Sequence, residues 1–75
     1  MEKFASKFAI CIFAELDSLI TPRRIYQVLN DEKAELSGYI RIIDDEGEDY
    51  VYPKKNFVFM LFPQEIENAL FKTVV

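Results

Sequence analysis

Apolar and polar residues alternate with a period of two along most of this chain, and turn-forming residues cut the alternation into short strands. Residues 8 to 14 set Phe8, Ile10 and Ile12 against Ala9, Cys11 and Phe13. Both sets are apolar, which predicts a strand partly covered on both sides. After a polar link from Asp17 to Pro22, the run from Arg23 to Leu29 alternates Ile25, Gln27 and Leu29 against Arg24, Tyr26 and Val28. This reads as a second strand, stopped by Asn30 and Asp31. Their side chains can accept the free N–H groups of a following turn, so one helical turn is expected from Asp31 to Leu36, released at Ser37 and Gly38 where glycine permits a positive φ.

Three strand-like runs then fall between Gly38 and Phe62, separated by an acidic turn and a Pro-Lys-Lys-Asn turn. Asp44 suits the first position of a type I turn and Gly47 the left-handed bulge residue at its end. That turn sets the register: Ile42 faces Tyr50 and Ile40 faces Tyr52 on a core side, while Tyr39, Arg41 and Ile43 share the other side with Asp49 and Val51. Pro53 has no N–H to give a ladder, so the strand ends there or lies at an edge. Phe57 to Phe62 is apolar on both sides, which predicts cover on two faces, within a barrel or by a second copy of the chain. Pro63 is placed to open a helix, with Glu65 and Glu67 near the positive end of its dipole and Lys72 near the negative end. Ile66, Ala69 or Leu70, and Thr73 or Val74 recur at helical spacing and predict a stripe laid against the barrel.

Strands starting at residues 8, 23, 38, 48 and 57 leave no room for crossover connections. The predicted fold class is therefore mainly β, a small five-stranded antiparallel SH3-like barrel with a short C-terminal helix, ahead of an OB-like barrel or a mixed α+β sheet. One domain is expected, with residues 1–7 as an N-terminal arm, 8–62 as the barrel and 63–75 as the helix.

Composition narrows the function classes. A chain of 75 residues with 51% hydrophobic and 15% aromatic content is short but can fill a dense core, largely with its seven Phe and four Tyr. The one cysteine, Cys11, has no internal disulfide partner, and without a histidine the usual base for a thiolate nucleophile is missing. A net charge of −4 argues against a phosphate-rich partner, since nucleic-acid affinity rests on Lys and Arg, and here only Arg23 with Arg24 and Lys54 with Lys55 are paired bases. Lys3 and Lys7 before the apolar run superficially copy a secretory signal, but Glu15 and Asp17 close the run and no small-x-small cleavage site follows. No run reaches the ~20 apolar residues of a membrane span. The expected setting is the cytoplasm, with the thiol reduced.

The acidic run from Asp44 to Asp49 invites a calcium loop, but spacing decides against one. With Gly47 at the sixth position, Ile42 would be first and Pro53 twelfth, and neither supplies a carboxylate. A solvated hairpin tip that discourages edge pairing is the simpler reading. No Gly-rich phosphate loop and no Cys and His metal spacing is present, so neither cofactor nor metal is expected and the chain reads as a non-enzyme.

The run from Gly38 to Pro53, GYIRIIDDEGEDYVYP, preceded by IYQVLNDEKA from Ile25 to Ala34 and followed by Leu61, Phe62 and Pro63, resembles a family of short uncharacterised bacterial proteins. The resemblance covers about Phe8 to Leu70, carries no catalytic motif, and implies a small barrel in a bacterial cytosol. A looser likeness is to peptide-binding SH3 domains, in which a Pro and a Tyr around the turn before the last strand help line the ligand groove. Pro53 and Phe57 bracket a similar turn, although the chain has no Trp. The candidate binding residues are accordingly Tyr39, Arg41, Pro53 and Phe57, Tyr and Arg being favoured interface anchors. The leading expectation is a module that binds a protein partner or a second copy of itself as a homo-oligomer. A nucleic-acid-associated barrel and an accessory subunit of a larger enzyme are the alternatives.

Overall fold

The computed structural model describes residues 8–73. The elements in chain order are β1 (Phe8–Cys11), β2 (Ile25–Leu29), α1 (Glu32–Leu36), β3 (Tyr39–Ile43), β4 (Asp49–Pro53), a 3-10 turn (Lys54–Asn56), β5 (Phe57–Met60) and α2 (Gln64–Lys72). The N-terminal arm and Val74 of the predicted helical stripe lie outside the described residues.

The strands form one antiparallel sheet in the order β4-β3-β2-β1-β5. The central hairpin has the predicted register, with Ile42 opposite Tyr50 and Ile40 opposite Tyr52. Its turn is closed by Asp44 N–H donating to the Glu48 carbonyl at 2.9 Å and Gly47 N–H to the Asp44 carbonyl at 3.0 Å, with Gly47 at φ +82°. The short helix is also where the sequence puts it: Asp31 caps α1, its side chain accepting from Ala34 N–H at 3.0 Å.

Both early strands are shorter than their alternation predicts, for reasons visible in the backbone. Arg23 sits at φ 74°, a left-handed conformation that cannot continue a strand, so β2 starts at Ile25. Beyond Cys11 the chain leaves the sheet: the Cys11 carbonyl accepts from Arg23 N–H at 2.7 Å, while Ile12 N–H turns to the Asn56 carbonyl at 2.8 Å. Ile12 and Phe13, predicted inside a strand, are consequently exposed.

The expected fold, mainly β with five antiparallel strands and a C-terminal helix, is found, but the strands form one sheet that is not closed into a barrel. Pro53 removes a donor, and the 3-10 turn sends β5 to the far side of β1, so β4 and β5 share no ladder and both are edges. The sheet is nevertheless strongly coiled. Residues 25–27 of β2 pair with β1, whereas Val28 and Leu29 pair with β3, so β2 serves two halves. In a flat sheet the two edges would lie roughly 19 Å apart. Here the Tyr52 ring of β4 lies 6.4 Å from the Phe57 ring of β5.

Coiling lets both halves share one core on the inner face, built from Ala9, Cys11, Tyr26, Ile40, Ile42 and Phe57 and covered by Ile20. On the outer face Phe8 meets Phe71 of α2 at 5.0 Å and Phe62 at 6.1 Å. The helix therefore docks through an aromatic cluster, while Ile66 of the predicted stripe stays exposed. Full cover of the run from Phe57 to Phe62 is likewise not found, since Val58, Phe59 and Leu61 are exposed. Among the described residues no helix is long and apolar enough to cross a membrane.

Candidate functional site

Alternation along β3 and β4 brings Tyr39, Arg41 and Pro53 together on the outer face, Tyr39 being paired with Pro53 and Arg41 with Val51. Phe57 is not with them. It is buried on the inner face, its ring 6.3 Å from Tyr26 and edge-on to it. Of the remaining three, Arg41 is already engaged: its Nε donates to Asp31 at 2.8 Å and its Nη1 to Asp49 at 2.9 Å. Those two carboxylates hold the guanidinium pKa above its usual value. Asp31 is held below the usual carboxylate value, first by the Ala34 backbone N–H and then by Arg41. The outer face is thus a brace that ties α1 to both strands of the hairpin.

The more open arrangement lies at the other side of the hairpin tip. The loop from Ile12 to Arg24, of which the sequence predicts Asp17 to Pro22 as a polar link and the flanks as strand, folds back and is latched to the turn between β3 and β4. Tyr26 Oη donates to Asp45 Oδ1 at 2.7 Å and accepts from Thr21 N–H at 2.6 Å. Thr21 Oγ1 donates to Asp45 Oδ2 at 2.8 Å, Arg24 Nη1 to Asp45 Oδ1 at 3.1 Å, and Asp45 N–H to the Leu19 carbonyl at 2.8 Å. Burial first, and the bond to Asp45 second, push the Tyr26 hydroxyl up to about 12.

Latching leaves a groove of about 390 Å³ between the loop and β4, lined by Asp17, Leu19, Asp44, Glu48, Tyr50 and Tyr52 among others. Tyr50 and Tyr52 meet edge to face with ring centroids 5.6 Å apart, and Tyr50 is 61% exposed. Burial, and then the charge on Asp44, raise the pKa of Tyr52. Asp44 itself is buried, its Oδ1 accepting from Glu46 N–H at 2.9 Å and Glu48 N–H at 3.1 Å. The carboxylates around the groove do not converge: among the described residues no group of three or more His, Cys, Asp or Glu is placed to hold a metal ion.

Sequence reasoning missed this groove. Tyr50 has the same alternation phase as Tyr52 and reads as core; the available signal was its place next to the turn, where the interior runs out. Nothing in the pattern of residues 16 to 19 announces a wall. Cys11 is fully buried, its thiol donating to the Phe13 carbonyl at 3.3 Å, and burial pushes its pKa up, which keeps it protonated.

Fold and groove together define a small open-sheet β domain with an aromatic and acidic cleft. No protein-family model, no curated protein and no solved structure matches the chain.

Proposed function

We propose that the chain is a non-enzymatic interaction module, SH3-like in its arrangement, that binds a segment of a protein partner in the groove between the loop and β4. One observation carries this reading: a cleft of about 390 Å³, room for more than one side chain of a bound segment, presents a largely exposed Tyr50 at its wall. Tyrosine supplies large contact area with little rotamer entropy to lose, which is why it anchors interfaces. The SH3-like arrangement is supported by the strand order β4-β3-β2-β1-β5, the long loop between the first two strands and the 3-10 turn before the last. The non-enzymatic reading is supported by the lack of histidine and by a cysteine that is buried and protonated. A cleft lined by Asp17, Asp44, Glu48 and Asp49 is unfavourable for phosphates, which supports a protein segment over a nucleic acid as the ligand.

The test is a random peptide library displayed on phage and selected on the wild-type chain, with Tyr50→Ala as counter-screen. Enrichment of a consensus that Tyr50→Ala fails to retain supports the groove. No enrichment, or enrichment unaffected by the substitution, refutes it. A second reading, self-association, is favoured by the edge of β5, where Val58 and Leu61 are exposed beside unpaired backbone. A molar mass by light scattering that stays monomeric at high concentration removes it.

A further inference from the structure

Resting on the groove reading above, we infer that its occupant is an extended, lysine- or arginine-bearing segment of a protein partner, with a cationic head set against Tyr50 and Tyr52 beside the carboxylates of Asp17 and Glu48. Two independent features converge on that chemistry. The first is aromatic. The faces of tyrosine rings attract ammonium and guanidinium groups, and the edge-to-face pair of Tyr50 and Tyr52, with an interplanar angle of 68°, leaves Tyr50 open to such a group.

The second feature is charge complementarity. The lining of the groove contains no lysine or arginine. Asp44 is satisfied by backbone N–H groups and Asp49 by Arg41, but Asp17 and Glu48 have no cationic partner among the described residues. Arg24 is engaged by Asp45, and Arg41, held between Asp31 and Asp49, neutralises only Asp49 of the lining, which leaves Asp17 and Glu48 uncompensated. The chain's net charge of −4 adds a long-range attraction for a basic partner.

Shape favours a side chain on a peptide over a bare ion or a free amine. The carboxylates are dispersed and do not form a metal cage. Leu19 at the wall offers apolar surface for the methylene stem of lysine or arginine. Leu16, on the same loop, is a further exposed apolar side chain, 92% accessible.

The experiment is fluorescence anisotropy with a short labelled peptide alternating lysine and alanine, its glutamate-alanine counterpart as control, and spermine as competitor. The lysine peptide should bind and the glutamate peptide should not, with affinity falling as salt rises past ~150 mM. Tyr50→Ala should weaken binding roughly two- to fivefold, and Tyr50→Phe, which keeps the ring, should not. Asp17→Asn and Glu48→Gln should each weaken it by up to roughly fivefold. Equal binding of both peptides, or a lysine peptide indifferent to Tyr50→Ala and to both carboxylate variants, overturns the inference. Spermine binding as tightly as the peptide overturns the protein segment as occupant. A phage consensus that depends on Tyr50 but lacks basic residues leaves the groove reading standing and removes this one alone.

Discussion

Tyr26→Phe removes one oxygen and tests whether the loop that walls the groove is held by its latch. Tyr26 is 6% exposed, and its hydroxyl joins the loop to the hairpin turn, bonding Asp45 at 2.7 Å and Thr21 N–H at 2.6 Å. A hydrogen bond to a charged acceptor contributes about 1.5 to 3 kcal/mol, and the stranded Thr21 N–H adds to the loss. Asp45 keeps Thr21 Oγ1 and Arg24 as donors, which limits the damage, so the expected destabilisation is about 2 to 3 kcal/mol. A domain of this length holds only about 4 to 11 kcal/mol in total. The melting temperature should therefore fall by roughly 8 to 24 °C. Urea unfolding followed by circular dichroism measures the change, and a cycle with Asp45→Asn isolates the coupling. The same oxygen predicts a pH dependence. Its pKa rises from the ordinary 10.0 to about 12, so the folded state binds the proton more tightly than the unfolded chain. That contribution is fully present below pH 10 and is lost as pH rises through about 12. Wild type should lose stability across that window more steeply than Tyr26→Phe. A change within about 0.5 kcal/mol on substitution, which is ordinary for a surface site, with unaltered alkaline behaviour, would refute the latch.

Three further outcomes follow from other parts of the fold. Gly47→Ala should destabilise by roughly 1 to 2 kcal/mol through backbone strain alone, because φ is +82° and nothing lies within 4 Å of an added Cβ; Gly47→Asn should recover part of it, and thermal melts compare the two. Cys11 should resist iodoacetamide in the folded protein and react on urea unfolding, as read by mass spectrometry, because it is fully buried with its pKa raised; rapid labelling of the native chain contradicts this packing. Asp31→Ala should lower the urea midpoint more than Asp31→Asn, which can still cap α1. Because the Asp31 pKa is lowered from 3.8, its contribution is present above that pH and fades as pH falls below it, so the variant and wild type should converge in acid.

What period-two patterning makes legible is local pairing, and what it hides is how far the interior extends. The hairpin register, the cap at Asp31 and the left-handed Gly47 each depend on residues within a few positions of one another, and each is where the sequence predicts it. Closure, the groove and the fate of Phe57 depend on contacts between distant segments. Thr21 and Asp45 are 24 positions apart, and no periodicity links them. Tyr50 and Tyr52 show the limit most directly: identical residues two apart on one strand face share an alternation phase. Tyr52 has Phe57 beside it, 6.4 Å away across the 3-10 turn, packs against the core and is half-buried. Tyr50, nearer the turn, has no strand across from it and is 61% exposed, so the same pattern that encodes a core position at one end of β4 encodes the wall of a cleft at the other. Burial is set by what the loops place opposite a residue, and in this chain the loop from Ile12 to Arg24 covers Tyr26 and stops short of Tyr50.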